Sequence, residues 1–220
     1  MAFAHSKDSQ VFANEQHISA EIKGWTASWK RDYADTTALP DAGSRGTPGL
    51  TEGELELEGH FNSAAVGSKP FYDEVTASVG VDNGLNVTVQ PSGDTIGEPA
   101  IFAQLDVKDF EVESKVSDAV AMSMSGDTNG GTDMGFVQHA YAAQAPGTVG
   151  HASIDNLAAT ANGGSAMLHV GLVTGGGNAV LKIQHSTDNS VWADLITFTT
   201  VTAATSEFKE VAALTTVNRY

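Results

Sequence analysis

The sequence predicts an all-β fold with one short helix, and three observations favour it. Helical periodicity is scarce among the 220 residues, whereas short apolar runs alternate with clusters of turn residues, a pattern typical of β-sandwiches and barrels. Apolar residues make up 41% of the chain and charged residues 17%, which predicts a folded core. Cysteine is absent, so packing or assembly must supply the stability.

The charge is strongly acidic and unevenly placed. Lys and Arg number 11 against 27 Asp and Glu, a net charge of −16, which disfavours specific binding to nucleic acid or anionic membranes. Residues 1–125 carry 20 acidic and 8 basic residues, whereas 126–220 carry 7 and 3. With the glycine-rich stretch SGDTNGGTDMG between them, we expect two regions, 1–140 and 141–220.

Residues 30–50 (KRDYADTTALPDAGSRGTPGL) lack periodicity and contain many breakers, which predicts a long loop of the type used for function or for contact with a partner. The clearest strand follows, Glu54–Glu58, flanked by Gly53 and Gly59. Its period of two predicts three carboxylates on one face and two leucines on the other.

A short helix is expected between Ser68 and Ser78, with Ser68 as its N-cap and Gly80 beyond its end. Phe71 and Val75 share its predicted buried face. Asn86–Gln90 is the next expected strand.

A second strand pair is expected from Ile101 to Val116. Leu105 and Val107 have the opposite parity to Phe110 and Val112, which predicts a β-bulge near Asp109. In the second region we expect strands at Met167–Val173, Ala179–His185 and Val191–Thr200, with hairpin connections at 175–177 and 186–190.

Motifs for phosphate, dinucleotide, hydrolase or zinc-protease chemistry are absent from the sequence, so we expect no enzyme, no cofactor and no metal site. The seven histidines lack ligand spacing. Asp127, Asn129 and Asp133 look superficially like a calcium loop but lack its glycine and its final glutamate, which favours a plain turn. The N-terminus has no apolar signal core, and no apolar stretch of about 18 residues occurs, so we expect cytoplasmic synthesis and no membrane span.

The first 125 residues or so resemble the major tail tube proteins of long-tailed, non-contractile bacteriophages. The resemblance rests on elements in the order that this family shows: Asp35-Thr36-Thr37, Pro48-Gly49-Leu50, the strand Glu54–Glu58, Gly59-His60-Phe61, the helix, the strands near 101–113 and the segment Lys115–Val120. The second half is similar, more loosely, to the C-terminal β-sandwich of phage tail proteins, through Ala159–Gly164, Leu168–Val170, IQHSTDNSVWADLITFT and Asn218–Tyr220.

This resemblance implies a subunit of the virion tail that forms rings, hexameric in the family, which stack into a tube for genome delivery. The implied partners are other copies of the chain, the tape measure, tail terminator and tail tip proteins, and passing double-stranded DNA without specific binding. Glu54, Glu56 and Glu58 are the candidate lumen-facing residues, an outer or ring-contact face being the alternative. Asp35, Thr36, Thr37, Pro48, Gly49 and Leu50 are the candidate inter-ring loop. A different function stays open, a virion adhesin or decoration protein that holds carbohydrate through the C-terminal sandwich, with Trp192 as the stacking residue.

Overall fold

The computed structural model describes residues 6–35, 46–63, 70–128, 132–145, 147, 150, 153–175 and 177–220. Within them the chain forms twelve strands and one α-helix, which confirms the predicted fold class. The elements are β1 (Gln10–Ala13), β2 (Gln16–His17), β3 (Ile22–Asp35), β4 (Gly46–His60), α1 (Pro70–Ser78), β5 (Leu85–Gln90), β6 (Pro99–Glu113), β7 (Ala121–Thr128), β8 (Asp133–Phe136), β9 (Gly164–Val170), β10 (Lys182–His185), β11 (Ala193–Thr197) and β12 (Thr205–Val211).

Contacts divide the chain into two compact units, neither of which is one continuous segment. The first comprises Met1–Ala20, Asn86–Phe102 and Asp133–Tyr220, and the second comprises Glu21–Leu85 and Ala103–Thr132. The predicted division at residue 140 stays a prediction.

The first unit contains three small groups of strands. In one, the order is β2-β1-β5-β6, with β8 also paired to β6. In the other two, β9 pairs with β12 and β10 pairs with β11, both antiparallel. Ala166, Ile196 and Phe198 form a small apolar core in this part of the unit, together with the half-buried Leu181 and Ile183.

The second unit is an antiparallel sheet in the order β6-β7-β4-β3 with α1 on one face. The alternation predicted for Glu54–Glu58 is confirmed, since Leu55 and Leu57 are fully buried while Glu56 and Glu58 are exposed. Burying each leucine contributes roughly 1.5–3 kcal/mol. Across from them on β7, Gly126 and Met124 face the same core.

Helix α1 closes this core as predicted, with Phe71 and Val75 fully buried. The Glu21 carboxylate accepts hydrogen bonds from the Phe71 backbone N–H at 2.9 Å and from Asn62 Nδ2 at 2.7 Å, so it satisfies a free amide at the helix start. Gly80 has φ of 75° just beyond the helix end, the left-handed geometry that its position predicted. Ser68, the expected N-cap, lies outside the described residues.

The predicted loop over residues 30–50 is wrong at both of its ends. Asp35 belongs to β3, and Pro48, Gly49 and Leu50 belong to β4, where Tyr33 lies opposite Pro48. A proline is tolerated there because β7 pairs with β4 only from Glu54 onward, so among the described residues β4 has a neighbouring strand on one side only at Pro48. Thr36 and Thr37 lie outside the described residues.

The predicted bulge in β6 is confirmed, since the β6 to β7 register shifts between Val107 and Asp109. The hairpin connection at 186–190 is also confirmed, because β10 and β11 are antiparallel neighbours. The one at 175–177 is wrong: β9 pairs with β12, a strand that the sequence did not predict, and not with β10.

Candidate assembly surface

The predicted lumen residues Glu54, Glu56 and Glu58 lie on the sheet face opposite α1, where Glu56 and Glu58 are exposed and Glu54 is half-buried. Residues directly opposite each other in antiparallel strands point to the same face. Glu54, Glu56 and Glu58 lie opposite Asp127, Ser125 and Ser123 of β7. Beyond β7, Ser125 and Ser123 lie opposite Asp109 and Glu111 of β6.

The structure therefore assembles an acidic face much larger than the sequence predicted. Nine carboxylates share it: Glu52, Glu54, Glu56, Glu58, Asp106, Asp109, Glu111, Glu113 and Asp127. Four of them form a column on β4 and four form a column on β6. Between the two columns, β7 carries the small side chains of Ser123 and Ser125 and, at its end, Asp127. Along each column successive carboxylates are roughly 7 Å apart, and the columns are roughly 10 Å apart.

Few cations balance this face. Lys108 lies 3.6 Å from Asp127, with both side chains exposed, and Lys115 lies 2.9 Å from Glu113. Lys23 joins Glu58, Glu111 and Glu113 around a shallow cleft of about 240 Å³. Exposed pairs such as these contribute little to stability, so the face keeps a strongly negative potential.

The outer strand of this sheet, β3, ends the strand order and is paired only with β4 in the described part of the chain. One side of β3 continues the polar face with Thr26, Ser28 and Lys30, which lie opposite Glu56, Glu54 and Glu52. The other side carries Trp25, Ala27 and Trp29, and Trp29 is 41% exposed although its indole N–H donates to the Thr132 carbonyl oxygen at 3.0 Å. Strand β3 is thus polar on the acidic face of the sheet and apolar on the opposite face.

At the opposite side of the sheet, the far half of β6 repeats this pattern. Asp109, Glu111 and Glu113 lie on the acidic face, whereas Phe110 and Val112 lie on the core face. Tyr72 of α1 covers Phe110, with ring centroids 5.9 Å apart, but Val112 is 45% exposed. In the described part of the chain β5 is the strand on that side of β6, and its six residues can pair with only part of the fifteen residues of β6.

The β3–β4 hairpin extends beyond the rest of the sheet. Pairing between the two strands continues to Asp35 and Gly46, whereas β7 follows β4 only from Glu54. Residues 29–35 and 46–53 therefore form a two-stranded ribbon that we call the arm. The described side chains of 29–35 are all exposed. The candidate inter-ring residues Asp35, Pro48, Gly49 and Leu50 lie in its strands.

The remaining candidates lie elsewhere. Trp192 precedes β11 and is 38% exposed beside Val191, and the carbohydrate alternative gains no further support there. Asp127 and Asp133 belong to β7 and β8, while Asn129 lies outside the described residues. In the described ranges, no group of three or more His, Asp or Glu side chains could hold a metal ion, and no helix is long and apolar enough to cross a membrane.

Comparison with solved structures finds similar folds among tail and tube assemblies. The chain is similar to a subunit of the SPP1 tail tube (15% identity, TM-score 0.47, covering 68% of this chain and 96% of that one). It is also similar to the tail of an empty gene transfer agent particle with C6 symmetry (12%, 0.45, 61% and 98%) and to the tube-terminating cap of the anti-feeding prophage (5%, 0.49, 62% and 93%). No family model and no curated protein matches the chain.

Proposed function

We propose that this chain is the structural subunit of a phage tail tube, which polymerises as stacked rings around an electronegative channel that conducts the genome. The observation that carries the proposal is an acidic face on a sheet whose outer strand, β3, is paired on one side only in the described part of the chain. The sequence resemblance to tail tube proteins supports the same reading. The role is architectural, without catalysis or a cofactor.

Ring formation follows from the two sides of the sheet. The open edge of β3 in one copy and the far half of β6 in the next would pair and leave no exposed strand edge. The four strands β6, β7, β4 and β3 alternate in direction, and rotation about an axis along the strands preserves direction. An even number of strands per copy therefore makes the junction antiparallel, like every other pair in the ring.

The side chains along the two edges of the sheet, β3 and the far half of β6, are also complementary. In that junction Trp25 and Trp29 would lie on the same face as the neighbour's Val112, so apolar surface now 41% exposed at Trp29 and 45% exposed at Val112 becomes buried. Thr26 and Ser28 would join the acidic columns and continue the polar face around the ring. Aromatic residues at such a contact supply much of its binding energy.

The acidic face would then line the channel. Duplex DNA carries a negative charge about every 1.7 Å, so a wall of carboxylates repels it and prevents adhesion during passage. Glu54, Glu56 and Glu58 belong to the column on β4, which lies between β3 and β7.

The arm would join consecutive rings. An isolated two-stranded ribbon is marginally stable in water, so exposed strands of this length favour a contact with another molecule. The arm lies at one end of the sheet and the β6–β7 turn lies at the other. Stacked copies therefore present unlike ends to one another, as a head-to-tail polymer requires. The tube's end partners would be the tape measure, terminator and tip proteins, and its location the virion tail.

Two experiments test the proposal. Purified protein examined by negative-stain microscopy should form hollow tubes of uniform diameter, and monodisperse small oligomers under all conditions would contradict it. Glu54→Lys, Glu56→Lys and Glu58→Lys together should leave tubes intact but slow or trap DNA in ejection assays.

The matched control reverses the same number of charges elsewhere, with Asp8→Lys, Asp82→Lys and Glu210→Lys, all exposed positions outside the acidic columns, the arm and the β6–β7 turn. Normal infectivity of the Glu54, Glu56 and Glu58 variant would remove those residues from the channel wall while leaving tube formation to be judged by microscopy.

A further inference from the structure

Within the first unit, the strand pair β9–β12 packs on β1 and β5 through a layer that is mainly polar. Asn86 Nδ2 donates to Ser206 Oγ at 2.9 Å, and the Asn86 backbone N–H donates to Asn14 Oδ1 at 3.0 Å. The side-chain oxygens of Gln10 and Gln90 are buried without a hydrogen-bond partner. Burying unsatisfied polar groups costs free energy, so this contact is weaker than an apolar one of equal area.

His169 of β9 lies in the middle of this layer, and both of its ring nitrogens are engaged. Nδ1 faces the Asn14 carbonyl oxygen, which can only accept, so Nδ1 carries the hydrogen. Nε2 therefore accepts a hydrogen bond from the buried Thr88 hydroxyl at 2.7 Å. These partners select the neutral imidazole, because a proton on Nε2 would force the Thr88 hydroxyl to reverse.

A second imidazole is part of the same cluster. The Phe12 ring stacks with His169 at 5.5 Å and with His17 at 4.8 Å between centroids. Tyr141 lies against Phe12 and His17, and Ser19 Oγ is 2.8 Å from His17 Nε2.

The groups facing the two imidazoles carry almost no compensating charge. The neighbours from β5 and β12 are Asn86, Thr88 and Ser206, all uncharged. The titratable neighbours are Tyr141 and the two histidines themselves, and Asp94 acts on His17 from a distance. In the described part of the chain no carboxylate contacts His169, so a proton there would create a buried charge without a counterion.

We infer that this layer is a pH-operated latch, in which the β9–β12 strand pair stays closed on β1 and β5 while His169 is neutral and opens when His169 is protonated. The inference does not depend on tube formation, since every contact lies within one unit of a single chain.

The pKa values agree in direction with this geometry. Burial lowers the pKa of His169 from 6.5 to about 4, against a smaller opposing effect of the Asn14 hydrogen bond. Burial also lowers the pKa of His17, opposed by Asp94. The open form binds protons more readily, so the closed form is fully favoured above pH 6.5 and loses its advantage as pH falls toward 4. The difference corresponds to a limiting increase of about 300-fold in the opening equilibrium below pH 4, about half of which is reached at pH 4.

Hydrogen exchange of the full, unassembled chain between pH 7.5 and 4, corrected for the intrinsic exchange rate, tests the latch. Once released from β1 and β5, a two-stranded pair is only marginally stable in water, so its ladder amides become open to exchange. Protection in β9 and β12 should therefore fall by up to about 150-fold at pH 4, while β4 and β7 keep theirs. His169→Gln retains an amide donor and an acceptor but cannot titrate, so its β9 and β12 protection should vary much less with pH. His60→Gln, an exposed histidine on β4, is the control and should behave as the parent.

Equal loss of protection in all strands would show general acid unfolding and overturn the latch, as would constant protection in β9 and β12. Should His169→Gln fail to fold, NMR titration of the parent chain decides. The latch requires that Nδ1 of the neutral His169 ring carries the hydrogen and that the pKa of His169 lies well below 6.5. A His169 pKa near 6.5 while the β9–β12 pair stays closed would overturn it.

Discussion

Gly59 shows how a single residue without a side chain permits the packing of the second unit. A methyl group there would collide with the Glu21 carbonyl oxygen, which is fixed by its hydrogen bond from the His60 N–H at 2.8 Å, and would lie 3.1 Å from the Phe71 ring. Gly59→Ala should therefore lower the free energy of unfolding by about 1–3 kcal/mol, as overpacking does elsewhere. Denaturant unfolding of the unassembled chain measures this. Gly24→Ala on β3, where a methyl group meets nothing within 4 Å, should change stability little, and equal effects of the two would contradict the explanation.

The ion pair between Asp155 and Arg219 should make stability depend on pH. Arg219 donates to both of its carboxylate oxygens, at 2.7 and 2.6 Å, and the Leu157 N–H donates to Oδ1 at 2.7 Å. These bonds lower the pKa of Asp155 from 3.8 to about 2. Their contribution to stability is present above pH 3.8 and is lost as pH falls through 2. In NMR titration, Arg219→Gln should return the pKa of Asp155 toward 3.8, and an unchanged pKa would show that Arg219 is not its partner.

At the scale of the elements, the sequence predicted those whose pattern is local. The alternation in Glu54–Glu58, the change of parity around Asp109 and the apolar pair Phe71 and Val75 each depend on neighbours in the chain, and all three predictions are confirmed. The missed elements depend on distant partners. β12 pairs with β9 some 40 residues away, and the ends of the predicted loop become strands only because β3 and β4 pair along their whole length. The β6 carboxylates were missed as site residues because register across β7, which single-strand periodicity does not contain, aligns them with Glu54, Glu56 and Glu58.

A substitution on the β3 edge should prevent tube formation, if this edge forms the proposed ring contact. Ala27 lies between Trp25 and Trp29 on the apolar side of β3, so Ala27→Lys places a charge where the neighbouring copy would bury it. We expect a folded chain that forms no tubes, since an inward-pointing lysine blocks strand addition. Thr26→Lys, one residue away on the polar side, should still permit tubes. Circular dichroism checks folding and microscopy checks assembly, and tubes formed equally by both variants would place the ring contact elsewhere.

At the scale of the whole molecule, a chain with a net charge of −16 must approach copies of itself against strong repulsion. The apolar contact at Trp25, Trp29 and Val112 is short-range and insensitive to screening, whereas the repulsion between acidic faces acts over about 10 Å at 0.1 M salt and about 3 Å at 1 M. The concentration needed for tube formation should therefore fall as salt is raised from 0.02 to about 0.5 M, measured by sedimentation. Glu54→Gln, Glu56→Gln and Glu58→Gln together should lower that concentration at low salt and flatten its salt dependence. If salt instead dissolves the tubes, ion pairs hold the copies together and the apolar edges are not the main contact.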